Sequence, residues 1–106
     1  MIIVTTTETI PRREVTEILG VVKGNTVRAR HVGRDILASL KTVVGGEIKS
    51  YTALLTQARE EALKRMVAEA KELNADAIVN VRLQTSEIMM QAAEVLAYGT
   101  AVKLSK

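Results

Sequence analysis

Residues 51–86, YTALLTQAREEALKRMVAEAKELNADAIVNVRLQTS, decide the fold, because the hydrophobic period changes within them from about 3.6 to 2. The first part predicts a long helix from about Ile48 or Tyr51 to Leu73. Its apolar stripe is Tyr51, Leu55, Ala58, Ala62, Met66, Ala70 and Leu73, and the three alanines near its middle let the backbone approach a sheet closely. Asn74 fits a left-handed C-cap. The second part, Ala77 to Ser86, then alternates, with Val79, Val81 and Leu83 facing one way and Asn80, Arg82 and Gln84 the other. That is the pattern of a half-buried strand.

Working outward, Ile2 to Thr6 reads as a short strand of β-branched residues, and Pro11 marks a turn before a second extended stretch, Glu14 to Lys23. Here Val15, Leu19 and Val21 are expected on one side and Ile18 and Val22 on the other, with Gly20 at a bulge or a close backbone approach. Gly24-Asn25 reads as a tight turn into a short strand, Thr26 to Arg30. Ile36, Leu37, Leu40, Val43 and Val44 mark one face of a short helix stopped by Gly45-Gly46. After a turn or loop within 87–94, a last strand from Val95 to Leu104 carries Leu96, Tyr98 and Val102 opposite Val95, Ala97 and Ala101. One of these faces is expected to meet the long helix and the other a neighbour.

At 106 residues the chain reads as one domain, 1–106, with no linker, low-complexity tract or internal repeat. Hydrophobic residues make up 47% of it and aromatics 2%, so the core must be aliphatic. A body this small has little interior to hide that apolar load, which points to a contact with other copies. There is no cysteine, tryptophan or phenylalanine, and His31 is the one histidine. A Cys/His nucleophile pair, a thiolate metal site and a multi-histidine site therefore lack their residue types. No apolar run reaches the roughly 18 to 20 residues of a membrane span, and the first residues are unlike a signal peptide; a cytoplasmic protein is expected, with no membrane partner. A modest net charge of +3 permits contact with nucleic acid or acidic ligands, and solvated lysines on helix faces account for it equally well.

Seven short strings lie in order along the chain: Gly20-Val21-Val22-Lys23-Gly24, Arg34-Asp35-Ile36, Val44-Gly45-Gly46-Glu47, Tyr51, Ala58-Arg59, Ala75-Asp76-Ala77-Ile78-Val79 and Gly99-Thr100-Ala101-Val102. Together they resemble the YbjQ-like family, also labelled a "putative heavy-metal-binding domain", and the match runs nearly end to end. The resemblance implies an α+β domain similar to a dodecin subunit, an antiparallel sheet packed on one long helix with a short helix and extra short strands, assembled as a homopentameric ring. Against the metal label, a chain without cysteine would have to build a soft-metal site from His31, methionines and carboxylates; no metal and no cofactor is expected.

Two clusters are candidate sites. Arg28, Arg30, His31, Arg34 and Asp35, with Gly33, lie just before the short helix, where guanidinium groups near a helix N-terminus can hold a phosphate or carboxylate. The alternative is a solvated rim or subunit-interface ion pairs with Asp35 and Glu47. Arg59 falls about 80° from Tyr51 near the apolar stripe at 100° per residue. Glu69 lies within the stripe, with Arg65 four residues earlier at its edge, where an i,i+4 pair can form; an intersubunit or helix-to-sheet ion pair is the favoured reading. Met89-Met90 read as packing rather than thioether ligands. Gly45-Gly46 lacks the lysine and preceding glycine of a phosphate-cradling loop, and no aromatic platform is offered for stacking bases, so no nucleic acid is expected. Three functions are carried forward: a non-enzymatic oligomeric module, a small-ligand or heavy-metal carrier with sites at subunit interfaces, and an enzyme whose actors would be Asp35, Glu47 and Arg59.

Overall fold

The computed structural model describes residues 1–29, 47–89 and 92–106. The elements are β1 (Ile3–Val4), β2 (Val15–Ala29), α1 (Glu47–Glu72), β3 (Ala77–Met89) and β4 (Ala92–Leu104). They form a four-stranded sheet of order β1-β3-β4-β2 with α1 across one face. The short helix expected at 36–44 lies outside the described residues. β2 and β3 both pair antiparallel with β4, while β1 pairs parallel with β3, so the sheet is mixed and the expected all-antiparallel sheet is corrected.

The stripe on α1 is the core. Ala58, Ala62, Met66 and Ala70 are fully buried, against Val22, Ile78, Val81, Val95, Ala97 and Ala101 of the sheet. Leu73, expected as the stripe's last member, is 41% exposed because the helix stops before it. Asn74 caps the end in the left-handed conformation, φ 58°. Its N–H donates to Lys71 O at 3.0 Å and the Ala75 N–H to Ala70 O at 3.1 Å, the paired bonds that satisfy the last carbonyls of a helix.

Three expectations in the strands change. β2 runs unbroken through Gly24-Asn25, which pair with Ala97 and Leu96; there is no turn there. A Cβ on Gly24 would meet the Ala62 carbonyl oxygen and the Met66 amide nitrogen, so this glycine serves the close approach of α1 to the sheet. Gly20, by contrast, sits at a bulge as expected, at φ 135°, with a register shift between Ile18 and Gly20. The bulge turns Leu19 to the helix side with Val22 and leaves Ile18 outside, where two-residue alternation placed Leu19 with Val21.

A second bulge overturns the faces read for β3. Asn80, at φ 54°, adds a residue between Val79 and Arg82. Ile78 and Val81 therefore share the helix side, and Val79 joins Ala77, Val102 and Leu104 in a smaller cluster beneath Ile10. The N-terminal segment covers that cluster, held by the Arg13 Nε–H to Ser105 O bond at 2.9 Å and by the Ser105 N–H to Glu14 O bond at 2.8 Å.

Candidate functional site

Of the first predicted cluster only Arg28 lies among the described residues; Arg30, His31, Arg34 and Asp35 lie outside them. Arg28 is on the helix side of β2, two residues beyond the buried Thr26, in line with Val22 and Gly24. Among the described residues, both Arg28 Nε and Thr26 Oγ1 are buried without a hydrogen-bond partner. Arg28 lines an open cleft of about 290 Å³ with Gln57, Glu60, Glu61 and Lys64. Two carboxylates share this cleft with two cations, so it is not a simple anion pocket.

The residues of the second predicted cluster lie along α1. Arg65 Nε pairs with Glu61 Oε2 at 3.2 Å, one turn towards the helix N-terminus, rather than with Glu69. Its Nη1 donates to the Asn25 carbonyl of β2 at 2.7 Å, a helix-to-sheet tie. Arg59 is half-buried and donates from Nη2 to Thr56 Oγ1 at 3.3 Å. Glu69 is half-buried and makes no ion pair among the described residues. Arg59, Arg65 and Glu69 thus do not pair with one another within the chain.

The face of the sheet away from α1 carries the side chains that this reading of the sequence missed. Register places Lys23, Tyr98 and Arg82 side by side across β2, β4 and β3. The next rows are Asn25, Leu96 and Gln84, then Val27, Glu94 and Ser86. Tyr98 is 37% exposed, and Arg82 is anchored by donating from Nη1 to Thr6 O at 3.0 Å. Two cations beside a phenol make a face that can accept an anionic or aromatic group. Lys23 and Arg82 each occupy a polar position in their own strand, but 59 residues separate them and only the register joins them.

Asp76, quoted above only within a family string, closes the turn from α1 to β3. Its Oδ2 accepts the Leu104 N–H at 2.8 Å and its Oδ1 lies 3.9 Å from Lys103 Nζ. The Leu104 hydrogen bond, with lesser help from Lys103 and Arg13 against a desolvation cost, holds its carboxyl below the ordinary aspartate range. A depressed folded-state pKa contributes stability at neutral pH that is lost as the pH falls below about 4 towards the folded-state value. Asp76→Asn is therefore expected to be less stable than wild type in thermal unfolding at pH 7, with the difference closing towards pH 3. A gap independent of pH would assign the loss to packing instead.

Among the described residues, one helix laid on a four-stranded mixed sheet, with the opposite face partly open, defines a small α+β domain. The chain belongs to the YbjQ-like family, whose model, described as "Putative heavy-metal-binding", matches residues 2–105. It is 70% identical over 103 residues to a UPF0145 protein of Archaeoglobus fulgidus, covering 97% of this chain and 95% of that one. It is 60% identical to a UPF0145 protein of Thermotoga maritima, covering 98% of each. Among solved structures it is similar to a protein of unknown function of the DUF74 family from Pediococcus pentosaceus, with a TM-score of 0.71, 17% identity and 98% of each chain covered. At that identity the likeness concerns the fold alone.

The chain has no cysteine, and among the described residues no three His, Cys, Asp or Glu side chains come together as metal ligands. These residues do not fit a heavy-metal centre, which calls for thiolate or clustered imidazole donors. No helix among the described residues is long and apolar enough to cross a membrane.

Proposed function

We propose that the chain is a non-enzymatic subunit of a homopentameric ring, whose assembled faces form a binding or scaffolding surface. The observation that carries this reading is the apolar surface left bare on an elongated body. Ile18 is 71% exposed, Val21 69% and Val27 54%, and all three lie on β2 away from α1. The body measures 57 × 23 × 20 Å with a radius of gyration of 17.5 Å, against about 13 Å for a compact chain of this length. Strands of 13 to 15 residues extend beyond what the core covers. Such a shape gains stability by burying its flanks against copies of itself. The thin inventory of nucleophiles and bases supports a role other than catalysis.

A second reading, a small-ligand carrier, is favoured by Arg28 Nε and Thr26 Oγ1, which have no hydrogen-bond partner among the described residues, beside the Arg28 cleft. Native mass spectrometry of untagged protein, before and after exposure to copper, zinc and phosphorylated metabolites, separates the two. A pentameric mass without adducts is the expected result. A stoichiometric adduct that disappears in Arg28→Gln would establish the carrier.

A further inference from the structure

We infer that copies of this chain meet side by side and head to tail, the acidic flank of α1 in one copy lying against the lysine-bearing flank of α1 in the next. The inference rests on the oligomeric reading and specifies its contact.

The two flanks follow from helix geometry. With Met66 facing the sheet, 100° per residue puts Leu63, Val67 and Lys71 at about 60°, 100° and 140° to one side; Glu69, Arg65 and Glu72 fall at about 60°, 100° and 120° to the other. Contacts fix which side is which. Arg65 bonds to Asn25, so the acidic flank lies over β2. Leu63, Val67 and Lys71 line an open cleft of about 490 Å³ with Val4, and Leu63 lines a second with Val81 and Leu83, so this flank lies over β1 and, at Leu63, over β3.

The flanks are complementary. The lysine flank offers Lys71, with Lys64 on the crest of the helix at about 160° and Glu60 among them, beside half-buried Leu63 and Val67. The acidic flank offers Glu61, Glu69 and Glu72 against Arg65, whose guanidinium is already committed to Glu61 and Asn25. Among the described residues Lys64, Lys71, Glu69 and Glu72 make no ion pair.

The sheet beneath repeats this polarity. β2 is one edge, with no strand beyond it among the described residues. At the other edge the two residues of β1, extended by the Val81 N–H to Thr5 O bond, cover only the start of β3. From Arg82 onward β3 has no further strand partner on that side among the described residues. A second copy placed there brings its own β2 edge beside β3 and its acidic flank beside the lysines. β2 and β3 run in the same direction, since each is antiparallel to β4. Rotation about an axis along the strands therefore gives a parallel junction, and each added copy again presents a β3 edge that has no strand partner from Arg82 onward among the described residues. That is a heterologous contact, the kind that closes into a ring.

The test is a charge swap read by sedimentation velocity, with circular dichroism confirming that each variant is folded. Lys64→Glu with Lys71→Glu, and separately Glu69→Lys with Glu72→Lys, are each expected to weaken assembly at least about tenfold. The chain carrying all four changes is expected to regain it. Unchanged assembly in either pair variant, or no recovery in the four-change chain, would overturn this contact while leaving the oligomer intact as a reading. A monomeric wild type would instead overturn the oligomer itself. Without any variant, wild-type assembly is expected to weaken from about 50 mM to about 500 mM salt. Assembly indifferent to salt would overturn the contact.

Discussion

Gly24→Ala is expected to lower stability by about 3 kcal/mol, at the upper end of the cost of overpacking a core. One methyl group does this because of where it lands. Its nearest neighbours are the Ala62 carbonyl oxygen, the Met66 amide nitrogen and Arg65 Cβ at 2.7 Å, two of them helix backbone. A flexible side-chain tip could turn aside, but a helix backbone held by its own hydrogen bonds must move as a unit. Relief therefore requires α1 to lift from β2, opening the contacts made by Ala58, Ala62 and Met66 together. The denaturant midpoint of the purified variant measures the loss. A change under about 0.5 kcal/mol, the usual effect of a surface substitution, would show that the helix does not lie this close.

Met66→Ala is the converse experiment, with a comparable expected loss of about 3 kcal/mol within the 2–5 kcal/mol range for such truncations. Met66 heads the largest fully buried side chains among the described residues, and the chain has no phenylalanine or tryptophan to share the load. Its neighbours on the helix stripe are alanines, which have no rotamers with which to refill the space. Met66→Leu nearly conserves the volume and is expected to cost less than about 1.5 kcal/mol. Similar losses for the two variants would point to the thioether's own contacts rather than to the cavity.

These two positions also show how far the sequence could be read. The buried centre of α1 at Ala58, Ala62, Met66 and Ala70 was legible because a 3.6-residue period needs no partner to be seen, and Asn74 because helix termination is local. The two faces of β4 were legible as well, since no bulge interrupts the alternation read there. Gly24 was misread because a glycine that frees a turn and a glycine that admits a helix look alike until the helix is placed over one of them. Asn80 was misread because an asparagine in an alternating run looks like an outward polar residue. Its left-handed conformation instead shifts the phase and sends Val79 and Val81 to opposite faces. The parallel β1 pairing and the row of Lys23, Tyr98 and Arg82 depend on contacts between distant segments, which periodicity does not encode. The sequence points Arg65 to Glu69, but carboxylates stand four residues away on both sides, and the structure pairs it with Glu61 while its Nη1 is tied to Asn25.

The most direct test of the oligomeric account is the solution mass of the untagged wild-type chain at micromolar concentration, by sedimentation equilibrium. The account predicts a single species of five subunits with no detectable monomer. A mass of 11.6 kDa, that of one chain, would contradict it.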